Sequence, residues 1–172
     1  MRGRPGTDEY GSIPGNYVRL TPEGDLIEIL RKQGEDTLEL LGSLTEEQGA
    51  YRYAPGKWSL KEAFGHVIDN ERIMSYRLLR IARGDTTPLP GYDQEVLVPG
   101  AGFDSFPIRQ LAEDYAAVRQ ATLTLLRGLS EEAWLRKGTA SNATISARAL
   151  ACVICGHELH HLRIIRERYL NA

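Results

Sequence analysis

The chain is short of cysteine, of aromatic residues, of long apolar runs and of excess positive charge, and each shortage removes a class of protein. Cys152 and Cys155 are the only cysteines, so no disulfide framework braces the fold. Aromatic residues are 8% of the chain, beside 42% hydrophobic and 26% charged residues, the mixture of an ordinary globule. No apolar run approaches the roughly 20 residues of a membrane span. Acidic residues outnumber Lys and Arg by 23 to 21, giving a formal charge of -2. That argues against a general nucleic-acid binder, which needs a basic excess or a basic face to neutralise phosphates. Arg163, Arg166 and Arg168 do cluster, but Glu167 interrupts them, and a solvated helix face explains them better. The opening residues Met1 to Gly6 lead into polar sequence without the apolar stretch of a signal peptide, so a cytoplasmic protein is expected.

What is present suits one domain, since 172 residues can bury a sizeable core unaided. The two cysteines have Cys-x-x-Cys spacing but lie inside the apolar run Ala149 to Cys155 rather than at a helix start. Without the helix dipole to acidify them, buried and inert thiols are expected.

Residues 1–20, rich in Gly and Pro and without a period, read as an extended arm, and residues 21–172 as a single domain. Thr21-Pro22-Glu23 gives a first helix start, followed by a stripe of Leu26, Ile27, Leu30, Leu38, Leu41 and Leu44. Ser59 with Glu62 forms a capping box for a second helix, whose inner residues run from Leu60 to Ile81 and which Gly84 stops. Residues 84–106 read as a long loop, of a length that in compact domains belongs to functional lids or to disordered segments. A third helix starts near Phe106-Pro107 and ends about Arg127, with Leu111, Tyr115, Val118, Thr122 and Leu125 inward. Ser130 to Trp134 reads as one capped turn, Gly138 to Thr144 as a polar connector, and a last helix runs from about Ser146 to Tyr169 or Leu170. Four long amphipathic helices predict an all-α four-helix bundle.

The chemistry concentrates in Gly156-His157-Glu158-Leu159-His160-His161-Leu162. His157 and His161 are four apart, so on a helix both imidazoles share a face and can grip one ion. Three of the chain's four histidines fall within five residues, and the pair borders the apolar stripe of Leu150, Val153 and Ile154, where unpaired rings would be costly. Imidazole nitrogens suit zinc, nickel or another first-row divalent metal. The same segment matches His-Glu-x-x-His of the zinc peptidases, with Glu158 as general base. A peptidase needs a further ligand downstream, however, and Glu167 lies about 9 Å further along the same helix. The third ligand must therefore come from upstream, where His66 is the one histidine left. Gly65 and Gly156, each beside a candidate ligand, would let the two helices approach closely. Three neutral histidines leave coordination positions open, as catalytic rather than structural sites do. Glu158, Asp69 and His160 are candidates for a second layer or a proton shuttle, and are equally well explained as surface polar groups.

The segments Tyr53-Ala54-Pro55-Gly56-Lys57-Trp58-Ser59, Gly65-His66-Val67-Ile68-Asp69 and Gly156 to Leu162, with Thr87-Pro88-Leu89-Pro90-Gly91 and Arg166-Glu167-Arg168-Tyr169, resemble the DinB-like superfamily of bacterial four-helix proteins. The resemblance spans nearly the whole chain after about residue 8. It implies an up-down-down-up bundle, a zinc or nickel site on His66, His157 and His161, and frequently a homodimer. Members with known roles include transferases that attach low-molecular-weight thiols such as bacillithiol to electrophiles, and a mycothiol-dependent isomerase. Others are regarded as metal-dependent hydrolases. The expectation is a metal-dependent enzyme acting on a small molecule with a low-molecular-weight thiol as co-substrate, with Glu158 as a catalytic group. The alternatives are a hydrolase using metal-bound water, or a metal-binding stress-response module without turnover. Tyr92 and Asp93, in the 84–106 segment, are expected to wall the pocket.

Overall fold

A computed structural model of the chain describes residues 3–170. Its helices are α1 (Ser12–Leu20), α2 (Leu26–Ser43), α3 (Glu46–Ala50), α4 (Leu60–Ala82), α5 (Gln94–Ala101), α6 (Ile108–Arg127), α7 (Glu131–Leu135) and α8 (Ala147–Ile164), the last prolonged by a wider π-type turn, Ile165–Leu170. A hairpin of β1 (Lys137–Ala140) and β2 (Ala143–Ser146) precedes α8. No helix among the described residues is long and apolar enough to cross a membrane.

The bundle is α2, α4, α6 and α8, and its directions follow from which residues meet. Trp58 meets Tyr169 and His66 meets His157, so α4 and α8 run antiparallel. Glu46 and Lys61 meet near Ile108, and Arg72 pairs with Asp114 further on, so α4 and α6 run parallel. Gln33 reaches Cys155 and Thr37 reaches Glu158, so α2 and α8 climb together. The order is up, down, down, up. Two parallel neighbours cannot be joined by a tight turn, and the α4–α6 connection must travel the length of the bundle.

That requirement corrects the reading of residues 84–106 as a loop. The crossover contains α5, capped by the Asp93 carboxylate accepting from the Glu95 N–H, and a 3-10 turn at Phe103–Ser105. Its apolar stretch Val96 to Val98 is too short, and is followed by Pro99, for a helical period to show. Gly138 to Thr144 is likewise the hairpin rather than a connector. Ser141 and Asn142 both take positive φ (50° and 62°) and close a two-residue turn whose twist suits antiparallel strands. Leu89 adds a parallel bridge to Ala140, which ties the crossover to the hairpin.

The N-terminal expectation also needs correcting. Residues 12–20 are helical, and α1 lies on α8. The contact is close because α8 has Gly156 beneath it: a Cβ there would sit 1.9 Å from the Tyr17 carbonyl oxygen. Gly65 serves a different neighbour, the Phe103 ring, 2.3 Å from where its Cβ would be. The two glycines therefore admit α1 and the 3-10 turn, not each other's helix. Glu9 fastens the start of the chain, accepting from Ser146 Oγ (2.8 Å) and Arg148 Nε (2.7 Å). The first long helix is capped by Asp25 and not by Thr21, whose hydroxyl instead donates to the Cys152 carbonyl (2.8 Å). Cys152 and Cys155 are buried, and burial pushes both thiols up to about 12, as inert thiols require.

Gly156→Ala should destabilise the protein by about 1–3 kcal/mol, because the new methyl can be housed only by lifting α1. Chemical denaturation with hydrogen exchange measures this: exchange should rise in residues 12–20, and an unchanged pattern there would contradict the contact.

Candidate metal centre

His66 enters from the second turn of α4, a helix held in register by the Ser59–Glu62 capping box. His157 and His161 come from successive turns of α8. The three rings converge between the two helices. Their nitrogens include one ligand atom from each ring, all within 4.8 Å of one another. The Nε2 atoms of His66 and His157 are 3.1 Å apart. Two nitrogens each about 2.0–2.1 Å from one ion would be about 3 Å apart, so the spacing of this pair is that of two ligands of one divalent ion.

The surroundings suit the same use. His66 and His157 are buried and His161 half-buried. Burial lowers His66 to about 4 and His161 to about 3, and lowers His157 well below the ordinary value, with the neighbouring rings adding to the effect on the α8 pair. All three are neutral near pH 7, with lone pairs available to a metal rather than to a proton. Trp58 packs on His66 (ring centres 5.0 Å apart) and Tyr17 packs edge-on against His157 (5.2 Å), fixing both planes.

Glu158, expected as a catalytic group, is placed away from the imidazole cluster. It is the next residue after His157, and its carboxylate points the other way, into the bundle. There it accepts from Thr37 Oγ1 (2.7 Å) and Tyr115 OH (2.5 Å) and pairs with Arg119. Burial raises its pKa against the pull of Arg119. Arg119 also binds Glu71 (Nε to Oε1, 2.9 Å) and donates to the Leu30 carbonyl (2.9 Å). Burial alone would lower Arg119; the charges of Glu158 and Glu71 outweigh it and hold the guanidinium ionised. Asp69 faces Arg72 and Asp114 on the outside of the α4–α6 seam. Of the three second-layer candidates, His160 alone stays near the cluster, its ring 5.1 Å from that of His161.

The cluster opens on a cavity of about 680 Å³ that reaches His157, within the range of small-molecule sites. Tyr92 and Asp93 line it, as do Asn70 and Arg77, which the reading of motifs passed over. Their signal was present: His66, Asn70, Met74 and Arg77 recur at helical spacing on the stripe that faces α8. A smaller recess of about 280 Å³ lies on the other flank, at His161, Trp58 and Tyr169.

The sequence pattern of the DinB superfamily matches residues 29–165. The chain belongs to the DinB superfamily. A protein of Oceanobacillus iheyensis named "Putative metal-dependent hydrolase" is 26% identical over 137 residues, 77% of this chain and 77% of its own. Among solved structures, YfiT from Bacillus subtilis, described as "a probable metal-dependent hydrolase with an unusual four-helix bundle topology", superposes with a TM-score of 0.75 at 17% identity, over 85% of each chain. The DinB-like protein YjoA of Bacillus subtilis gives 0.62 at 17% identity, over 86% of this chain and 92% of its own. At that identity the two structures speak for the fold alone.

Two outcomes follow. Arg119→Met should destabilise the fold by about 3–5 kcal/mol, since it strands two buried carboxylates; urea denaturation measures it, and a loss under 1 kcal/mol would contradict the network's role. In the metal-free chain, the unfolded state takes up protons on the three histidines below their ordinary value of 6.5, while the native state resists until about 4 and about 3. Stability is thus greatest above that value and falls as the pH drops toward the native ones. Melting temperature measured against pH should show this slope, and His161→Asn should flatten it.

Proposed function

We propose that the protein is a divalent-metal-dependent enzyme acting on a small molecule, with His66, His157 and His161 as the metal's protein ligands. The observation that carries this is the meeting of three neutral imidazoles, two buried and one half-buried, of which His157 lines a cavity large enough for a substrate. A bound zinc or nickel ion would supply a Lewis acid that lowers the proton affinity of a nucleophile held on it. The protein's own groups do the rest. Trp58 and Tyr17 hold the imidazole planes, and Leu150, Val153 and Ile145 give the cavity an apolar wall. His160, half-buried with its ring 5.1 Å from that of His161, is the nearest further imidazole to the cluster.

We infer that this nucleophile is a low-molecular-weight thiol and that the reaction is its transfer to an electrophile. Support comes from Glu158, the residue that would serve water as general base, being tied to Arg119, Tyr115 and Thr37. Among the described residues no Asp or Glu joins the imidazole cluster. A thiol is acidic enough to lose its proton at a metal without a carboxylate base. Hydrolysis is the second reading, favoured by the names given to the Oceanobacillus protein and to YfiT.

Purified protein should carry one zinc or nickel ion per chain by elemental analysis, and a chelator should remove it. Metal at a thousandfold above its Kd should stabilise the fold by about 4 kcal/mol, and His66→Ala should lose most of that gain. The metal-loaded protein should conjugate a small thiol to monobromobimane faster than the chelated protein does. Metal-dependent ester or amide cleavage without conjugation would favour hydrolysis. Failure to bind any divalent ion would overturn both.

A further inference from the structure

Among the described residues two arginines are buried, and they are treated differently. Arg119 has two carboxylates. Arg77, 5% exposed, has none. Its guanidinium donates to the Pro90 carbonyl (2.6 Å) and to Ser141 Oγ (3.3 Å), approaches the Met74 sulfur (3.8 Å) and lies over the Tyr92 ring, 5.6 Å from its centre. Among the described residues no Asp or Glu forms an ion pair with it. A buried cation satisfied only by neutral acceptors keeps a desolvation penalty that a carboxylate would relieve. Burial accordingly lowers its pKa.

Arg77 lines the same cavity as His157. Asp93 is the one acid on that wall; it is exposed, and its side chain is occupied in capping α5. One turn beyond His66 on the same stripe, Asn70 is 4% exposed. Its Nδ2 donates to the Tyr92 hydroxyl, and its Oδ1 has no partner. The phenol can serve either end of the amide, so one polar end of Asn70 remains open in either orientation. Between these groups the wall is apolar, with Met74 on α4 opposite Leu150 and Val153 on α8. The cavity thus has a cation at one end, an open amide along its length and the imidazole cluster at the other.

We propose that this cavity binds a small anionic substrate whose carboxylate, or comparable anionic group, is held by Arg77. A polar group of the substrate pairs with Asn70, and its apolar part lies along Met74, Leu150 and Val153 with the reacting end toward His157. The assignment of the reacting end rests on the metal-enzyme reading above; the anion site does not. Arg77 follows His66 by eleven positions, about 16 Å along the helix axis, and helical side chains lean back toward the N-terminus, here toward His66. The ligand is therefore elongated, and a single small ion does not span the site. The tip of the β1–β2 hairpin enters the specificity pocket directly, through the Ser141 hydroxyl that shares Arg77.

Calorimetric titration of the whole protein, metal-loaded and metal-free, with hippurate and 4-phenylbutyrate and with their neutral primary amides, tests the assignment. Each acid should bind at least tenfold more tightly than its amide. Arg77→Gln should remove that preference, leaving metal content unchanged. Met74→Glu covers the case in which Arg77→Gln fails to fold: it supplies the missing carboxylate one turn away, and should raise the melting temperature while weakening acid binding at least tenfold. Acids binding no better than amides to the wild type, or acid binding that survives Met74→Glu, would overturn the proposal. Metal bound without acid preference defeats this inference alone. Acid preference in a protein that binds no metal defeats the metal-enzyme reading alone.

Discussion

One guanidinium touches all four long helices. Arg119 stands on α6, binds Glu71 on α4 and Glu158 on α8, and donates to a backbone carbonyl of α2. Such a group gains little net stability over an apolar replacement, but it tolerates little sliding, because a shift of one helix leaves a charge uncompensated in a medium that cannot solvate it. What it fixes is rotation. Glu158 and His157 are sequence neighbours, so turning the carboxylate inward turns the imidazole toward α4. Glu71 likewise sits beside Asn70, and its commitment to Arg119 sends the amide to the cavity. The polar centre of the bundle and the imidazole cluster are two sides of one constraint.

The cluster's chemistry depends on that separation of duties. Carboxylates are gathered at Arg119 and kept away from the histidines, which are left neutral and close together. Had Glu158 faced them, it would have raised their proton affinity and set a proton in competition with a metal. The apolar packing divides along the same line. One core cluster contains Leu30, Leu78, Trp134 and Leu150, and the other Leu41, Phe64, Leu111 and Ile165. The polar residues His66, Asn70, Glu71, Arg119, His157 and Glu158 occupy the middle level of the bundle. A layer so polar is affordable because nearly every member is paired.

Much of the bundle was legible in the sequence because it rests on local signals. The Ser59–Glu62 box, the stripe of α4 and the four-residue step from His157 to His161 each state their geometry within a few residues. His66 became a candidate by elimination, since the pair on α8 lacked a third partner. The parts that were not legible are those decided by distant contacts. Arg119 lies on the inner stripe of α6 between Tyr115 and Thr122, yet a charged residue there reads as an edge until its two partners, Glu71 and Glu158, are known to be opposite. Val118 and Leu125 were expected inward and are only partly buried, because Arg119 and Leu126 take their place. The hairpin and α5 are too short to set up a period, and α1 is a weak helix containing Pro14 and Gly15 that is held by its fit over Gly156. Glu158 misled for a simpler reason: a motif specifies spacing along a helix, while the direction of one carboxylate depends on what packs behind it.

The bridge between Leu89 and Ala140 joins the crossover to the hairpin, so the far end of the cavity is built from two chain segments that take no part in the imidazole cluster. Changes in length or composition at residues 87–94 and 138–145 can therefore remodel what enters without disturbing α4 and α8. A scaffold organised this way lets one reactive centre be inherited intact while its selectivity drifts, which is how a single architecture can come to serve many unrelated compounds.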